Sequence, residues 1–330
     1  MKLASFVAAG RERLGALLED DSLVDLAEIA QTAGVKAHDL AKLSDMNLLI
    51  EAGAQGLEMA RRALEYAHTQ PKKARYKIGD VRWRAPVRRP SKIVCLALNN
   101  NANSERILSG PKHPAAFIKS ANALIGHGEA IELKPAYGRC HPEPELAIVI
   151  GKAAKEIAAK QAYDYVFGYT IHNDVTSPTM RDEDTFHYGA IHPAKDDPRK
   201  IEYVDTWVSY TGRYKNSDTF SPMGPCLVTR DEIADPHALA VTCSHKGEVV
   251  AEDTTANLFY KTPEVLSFLS QYMTLLPGDI VSLGTAVKRS TPDSRAVQNV
   301  DLNKLGGPVT VSIQGIGVLS NPVSARTNRK

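Results

Sequence analysis

Long apolar runs are missing from this sequence. No stretch approaches the about 18 apolar residues that a membrane-spanning helix needs, so no membrane partner is expected. The opening MKLASFVAAGRERLG carries a short apolar patch that meets Gly10 and then charged residues at once, too short for the core of a signal peptide. Cysteine is scarce: Cys95, Cys140, Cys226 and Cys243 stand far apart, with no CxxC and no Cys/His ligand spacing. They read as reduced thiols, and a cytoplasmic protein is expected. A dominant charge is missing as well. With 40 Lys and Arg against 38 Asp and Glu, the net charge is +2, which calls for neither nucleic acid nor an acidic surface as partner. Two basic patches, RWRAPVRRPSK at 82–92 and ARTNRK at the end, lack the interleaved aromatics of a nucleic-acid platform. There is no GxGxxG fingerprint and no internal repeat, and the GAQG at 53–56 has no Lys-Ser/Thr after it to make a phosphate loop.

What is present is enough apolar sequence, 43% of 330 residues, for a large core and two domains. Residues 1–85 read as a small N-terminal α/β domain: two strands and a turn leading into helix, then apolar positions at helical spacing over 46–69. The prolines and charges of 86–92 make a linker. From 93 to 330 short β-rich runs recur, at 93–98, 147–150, 165–171, 206–211, 226–229, 238–245, 279–285 and 309–319. One helix is expected at 262–274, with Thr262 as its N-cap and Pro263 as its first residue. Many strands, few helices and no regular βαβ alternation predict an α+β fold on a mixed or antiparallel sheet.

CHPEPELAIVIGK (140–152) sets two glutamates at the mouth of a strand about to be buried. Alternation puts Glu143 and Glu145 on one face, with Ala147 and Val149 beyond. A second apolar run, YVFGYTIHND, ends in Asp174. If the two strands are neighbours, three carboxylates converge, and they repel unless a cation or protons neutralise them. Strand-end acids facing water are the other reading of the same spacing. An all-oxygen donor set suits Mg²⁺, Mn²⁺ or Ca²⁺, with His141 and His172 near by as outer groups.

The residues resemble the fumarylacetoacetate hydrolase superfamily. EPELAIVIGK (143–152), GYTIHND (168–174), KNSDTFSPMGPCLVTRDEI (215–233), MTLLPGDIVSLGT (273–285) and IQGIGVLSNPV (313–323) are similar to family blocks in the family's order. The resemblance implies a mixed β-sheet roll, a homodimer, and Mg²⁺ or Mn²⁺ held by Glu143, Glu145 and Asp174. It also implies Lys215 as the active-site lysine and Thr285 at the substrate's carboxylate end. The substrate would be a small 2-oxo acid: an acylpyruvate whose C–C bond is hydrolysed, in catabolism of aromatic compounds.

The pattern breaks where water is activated. Hydrolytic members carry N-Y-x-x-H there; this chain has Asn100 and Asn103 in the Tyr and His positions. Asn is no base at neutral pH. Asn103 is left as a substrate contact, and Glu105 as the catalytic acid-base candidate beside it. Arg181 is displaced from its usual place among the substrate contacts, a long insertion brings His187 and His192, and the turn at 284–288 reads GTAVK. These losses spare the metal part. They raise the share for a hydratase, isomerase or decarboxylase acting on a 2-oxo diacid, and leave a metal-stabilised pseudoenzyme as a third reading.

Overall fold

The computed structural model describes residues 1–104, 107–285 and 297–325. Its largest sheet runs, in spatial order, through strands Arg75–Lys77, Ser22–Asp25, Arg11–Leu17, Lys2–Ala8, Ser221–Thr229, Val166–Asn173, Pro144–Ile150, Ile280–Thr285, Ile93–Ala97 and Ala115–Lys119. Neighbours are antiparallel except Ile280–Thr285 beside Ile93–Ala97, which is parallel. This is the mixed sheet of an α+β fold. The N-terminal strands continue it directly: Lys2 pairs with Val228 and Leu3 with Leu227.

The central strands are buried on both faces, and alternation divides their side chains. Leu146, Ile148 and Ile150 pack with Val241, Val311 and Ile313 of a second, four-stranded antiparallel sheet and with Val265, Leu266 and Leu269 of the helix Thr262–Tyr272. Ala147 and Val149 face the other way, onto Leu26, Ile29, Leu49, Ile50 and Ala60 from the N-terminal helices. Two layers thus cover opposite faces of one sheet. Strand crowding explains Gly168: a Cβ there would lie 2.2 Å from the Val228 carbonyl oxygen.

Several expected elements shift. The Thr262–Tyr272 helix starts one residue earlier than predicted, because Lys261 is its N-cap and Thr262 its first residue. His237 draws Thr262 in: the Thr262 N–H donates to His237 Nε2 at 3.0 Å, and its hydroxyl lies 2.9 Å from the same atom. The run 309–319 is two strands, Val309–Ile313 and Gly317–Asn321, separated by a turn with Gly315 at φ +79°. The predicted strand at 206–211 is the end of Ile201–Ser209, which pairs with Thr185–Pro193 in a free-standing two-stranded ribbon. No helix among the described residues is long and apolar enough to cross a membrane.

Candidate active site

The antiparallel pairing of Pro144–Ile150 with Val166–Asn173 sets Glu145 opposite His172, and on its other side Glu145 faces Thr285. Just outside the ladder the Asn173 Oδ1 accepts the Glu143 N–H at 3.0 Å, and the Glu143 carbonyl accepts the Asp174 N–H at 2.9 Å. This register brings the three acids together: one carboxylate oxygen from each of Glu143, Glu145 and Asp174 lies within 4.8 Å of the others.

Each acid is held by a different set of donors. The Lys215 Nζ donates to Glu143 Oε2 at 2.9 Å and to Asp174 Oδ2 at 2.6 Å. The fully buried Lys119 Nζ donates to Asp174 Oδ1 at 2.5 Å and to the Phe220 carbonyl at 2.8 Å. Glu145 accepts the Ser282 hydroxyl at 2.5 Å, the Gly284 N–H at 3.3 Å and the Thr285 hydroxyl at 3.2 Å. Gly284 reaches this position at φ +86°, a backbone region that glycine adopts without strain. Because Ser282 gives its hydroxyl proton to Glu145, its oxygen accepts from His172 Nδ1 at 2.8 Å. That leaves His172 Nε2 to accept from the Ser221 hydroxyl at 2.7 Å.

The charges are unevenly balanced. Burial opposes ionisation of Glu143, but Lys215 and His141 outweigh it and hold the carboxyl below its usual range. Asp174 behaves alike, with burial overcome by Lys119 and Lys215. The Glu145 carboxyl is pushed up by burial, with Asp174 and Glu143 adding to it. Lys215 would lose affinity for its proton through burial, yet Asp174, Glu143 and Glu145 raise it and keep it an ammonium. Two ammonium groups thus leave one carboxylate undercompensated. An undercompensated oxygen cluster with hard donors only is chemistry that fits a divalent cation. His141 adds a second sign of incompleteness: its Nε2 lies 3.2 Å from Glu143 Oε1, while its buried Nδ1 has no hydrogen-bond partner among the described residues.

The cluster opens into a cavity of about 670 Å³. Its floor is polar, with Glu143, Glu145, His141 and Lys215; Leu96, Leu98 and Phe117 form an apolar wall; Arg139 and Arg181 stand at the rim. Arg139, His141, Glu143 and Glu145 all line the cavity from the segment that leads into and begins the strand Pro144–Ile150.

The structure therefore unites Glu143, Glu145, Asp174, Lys215 and Thr285, and places Arg181 on the same cavity. The Thr285 hydroxyl is engaged by Glu145, and its carbonyl accepts from Asn100 Nδ2 at 3.0 Å. Asn103 falls in the short helix Asn101–Ser104. Glu105 and residues 286–288 of the GTAVK turn lie outside the described residues. His187 and His192 do not reach the cavity. They sit on the ribbon strand Thr185–Pro193, with His187 stacked on Trp207 at 3.9 Å and bonded to Asp205. Sequence reasoning missed Lys119, Ser221, Ser282 and Arg139. For Lys119 the signal was there, a lysine closing the apolar strand AAFIK.

Comparison with known proteins identifies the family. The family model described as fumarylacetoacetate (FAA) hydrolase C-terminal matches residues 92–324. A mitochondrial oxaloacetate tautomerase Fahd2a of Rattus norvegicus is 34% identical over 294 residues, covering 86% of this chain and 81% of the relative. Oxaloacetate tautomerase YisK of Bacillus subtilis (strain 168) is 30% identical over 337 residues, covering 98% of this chain and 100% of the relative. Among solved structures, maleylpyruvate hydrolase from Sphingobium sp. SYK-6, in complex with manganese(II) and pyruvate, superposes with a TM-score of 0.68. It is 26% identical and covers 99% of this chain and 100% of its own.

Proposed function

The chain belongs to the fumarylacetoacetate hydrolase family, and we propose that it is a divalent-metal-dependent enzyme interconverting the keto and enol forms of a small 2-oxo diacid of the oxaloacetate type. The observation that carries this reading is the position of Lys215, a buried ammonium within hydrogen-bond reach of two acids of the cluster and on the wall of the cavity. Glu143, Glu145 and Asp174 would hold the cation, Mg²⁺ or Mn²⁺. When bound, it supplies Lewis-acid polarisation of the substrate's keto group. Lys215 sets a fixed positive charge beside the oxygen that becomes negative on enolisation, where such a donor typically counts for about 3 kcal/mol. Lys119 keeps Asp174 ionised and in place. Arg181 at the rim suits the carboxylate remote from the reacting carbonyl.

Enolisation needs no activated water, which agrees with Asn at position 103. The tautomerases among the relatives, one of them aligned over its whole length, support the same choice. C–C hydrolysis of an acylpyruvate is the second reading, favoured by the apolar wall of Leu96, Leu98 and Phe117 and by the maleylpyruvate hydrolase neighbour.

The test follows the enol absorbance of oxaloacetate, with Mg²⁺ or Mn²⁺ and again after EDTA, beside pyruvate release from an acylpyruvate. Metal-dependent enol–keto exchange without acid release is expected. Faster metal-dependent release of pyruvate and a free acid moves the protein to hydrolysis. Inactivity toward both substrates with metal bound favours a purely structural metal.

A further inference from the structure

The two arginines on the cavity rim come from separate segments of the sequence, and the backbone zips those segments together. His141 and Thr176 exchange N–H···O=C bonds of 2.9 and 3.1 Å, and the Arg139 N–H donates to the Thr179 hydroxyl at 3.0 Å. The Ser177 hydroxyl donates to the Tyr137 carbonyl at 2.6 Å and accepts the Met180 N–H at 3.1 Å. The N-cap of the helix carrying Arg181 is therefore also a tie to the segment carrying Arg139. Gly138 permits the close approach: its φ is +60°, and a Cβ there would lie 2.5 Å from the Thr179 side chain. From a third direction Asn303 donates its side-chain amide to the carbonyls of Lys134 and Gly138, at 2.8 Å each.

Charge separates Arg139 from the other cations of the cavity. Lys215 already donates to Glu143 and Asp174. Arg181 has one carboxylate near it, that of Asp182, at 3.6 Å and largely solvated. Arg139 pairs with no carboxylate among the described residues, although its backbone is fixed. Its side chain is exposed, so its charge does not serve the core. A guanidinium with no acid partner, lining a cavity from a fixed backbone, is preorganised to take a carboxylate through its planar fork of donors.

We infer that Arg139 is a specificity-determining residue: together with Arg181 it takes the substrate carboxylate remote from Glu143, Glu145 and Asp174, and so selects 2-oxo diacids over 2-oxo monoacids. The inference rests on the 2-oxo acid reading of the site. The three acids and Lys215 treat the two substrate classes alike, because both present the same 2-oxo acid end. Only the remote end differs, and a methyl group there leaves Arg139 without an ion pair. Because Ser177 and Thr179 tie the two arginine-bearing segments to each other, the remote carboxylate is read by its position as well as by its charge.

Calorimetric titration of the Mn²⁺-loaded protein with oxaloacetate and with 2-oxobutanoate tests the inference without turnover, since the two acids have equal carbon chains and differ in the remote carboxylate. The wild type should bind the diacid more tightly by about tenfold or more. Arg139→Met should weaken oxaloacetate binding by about 10–100-fold and leave 2-oxobutanoate binding unchanged, and Arg139→Lys should recover part of the loss. Equal affinity of the wild type for the two acids, or binding of neither, overturns the inference. So does an Arg139→Met variant that binds oxaloacetate as the wild type does, or that loses both acids to a like degree. Absence of keto–enol exchange with the expected binding pattern intact would refute the proposed reaction and leave the assignment of Arg139 standing.

Discussion

Lys215 and Asp174 meet in the protein interior, Nζ to Oδ2 at 2.6 Å, with 8% and 1% of their surfaces exposed. The second lysine, Lys119, already compensates Asp174 from the other side. With Glu143 and Asp174 taking two of its N–H bonds, the Lys215 ammonium keeps its third to offer the substrate. Lys215→Met should lower turnover by about 10²–10³-fold with Mn²⁺ binding retained. Steady-state kinetics beside calorimetric Mn²⁺ titration separates the two effects. Joint loss of metal and activity would make Lys215 a support of the acids instead.

Gly284 places its own N–H and the following Thr285 hydroxyl on Glu145. A Cβ at this residue would lie 3.1 Å from the Leu96 carbonyl oxygen, at a φ of +86° that side chains resist. Gly284→Ala should cost about 1–2 kcal/mol of stability and weaken Mn²⁺ binding. Denaturant unfolding and metal titration of the variant check both; unchanged metal affinity would mean Glu145 is positioned without this turn.

Asp279 of the PGD turn has no access to solvent and ties the sheet to the segment entering it. It accepts from Ser91 Oγ at 2.6 Å, from Lys92 Nζ at 2.5 Å and from the Leu276 N–H at 2.7 Å. Asp279→Ala leaves these donors unmatched and should destabilise the protein by roughly 3 kcal/mol. A loss below about 1 kcal/mol in urea unfolding would contradict the tie.

His237 accepts the Thr262 N–H at the start of the helix Thr262–Tyr272, which only a neutral Nε2 can do. Burial and then Lys261 push its pKa down from 6.5 to about 4. The unfolded chain therefore takes up the proton first. The His237 contribution is complete above pH 6.5 and is lost as pH falls from there to about 4, by at most about 3 kcal/mol. His237→Gln should flatten the stability profile over that window; an equally steep profile would place the acid sensitivity elsewhere.

Legibility in the sequence followed locality. Glu143, Glu145 and Asp174 were readable because strand alternation and two apolar runs define their faces, leaving one condition, that the strands adjoin. The Ser221–His172–Ser282–Glu145 chain was not readable, because four strands or strand ends must be paired before those hydroxyls meet. The same holds for Lys2–Ala8, whose partner Ser221–Thr229 lies far along the chain. Residues 185–193 were not among the β-rich runs expected from sequence, because Gly189, Pro193 and two histidines dilute the strand signal; register with 201–209 makes them a strand. Thr262 was misplaced by one residue because its competitor, His237, is remote in sequence.

The central claim is that three acids hold one divalent cation. Titration of EDTA-stripped protein with Mn²⁺, followed by calorimetry and by the Mn²⁺ electron-spin signal, tests it most directly in the wild type and in Glu145→Ala. One ion per chain in the wild type, with loss of that binding in a still-folded Glu145→Ala, is the predicted result. Equal Mn²⁺ binding by both proteins, or none by the wild type, would contradict the account.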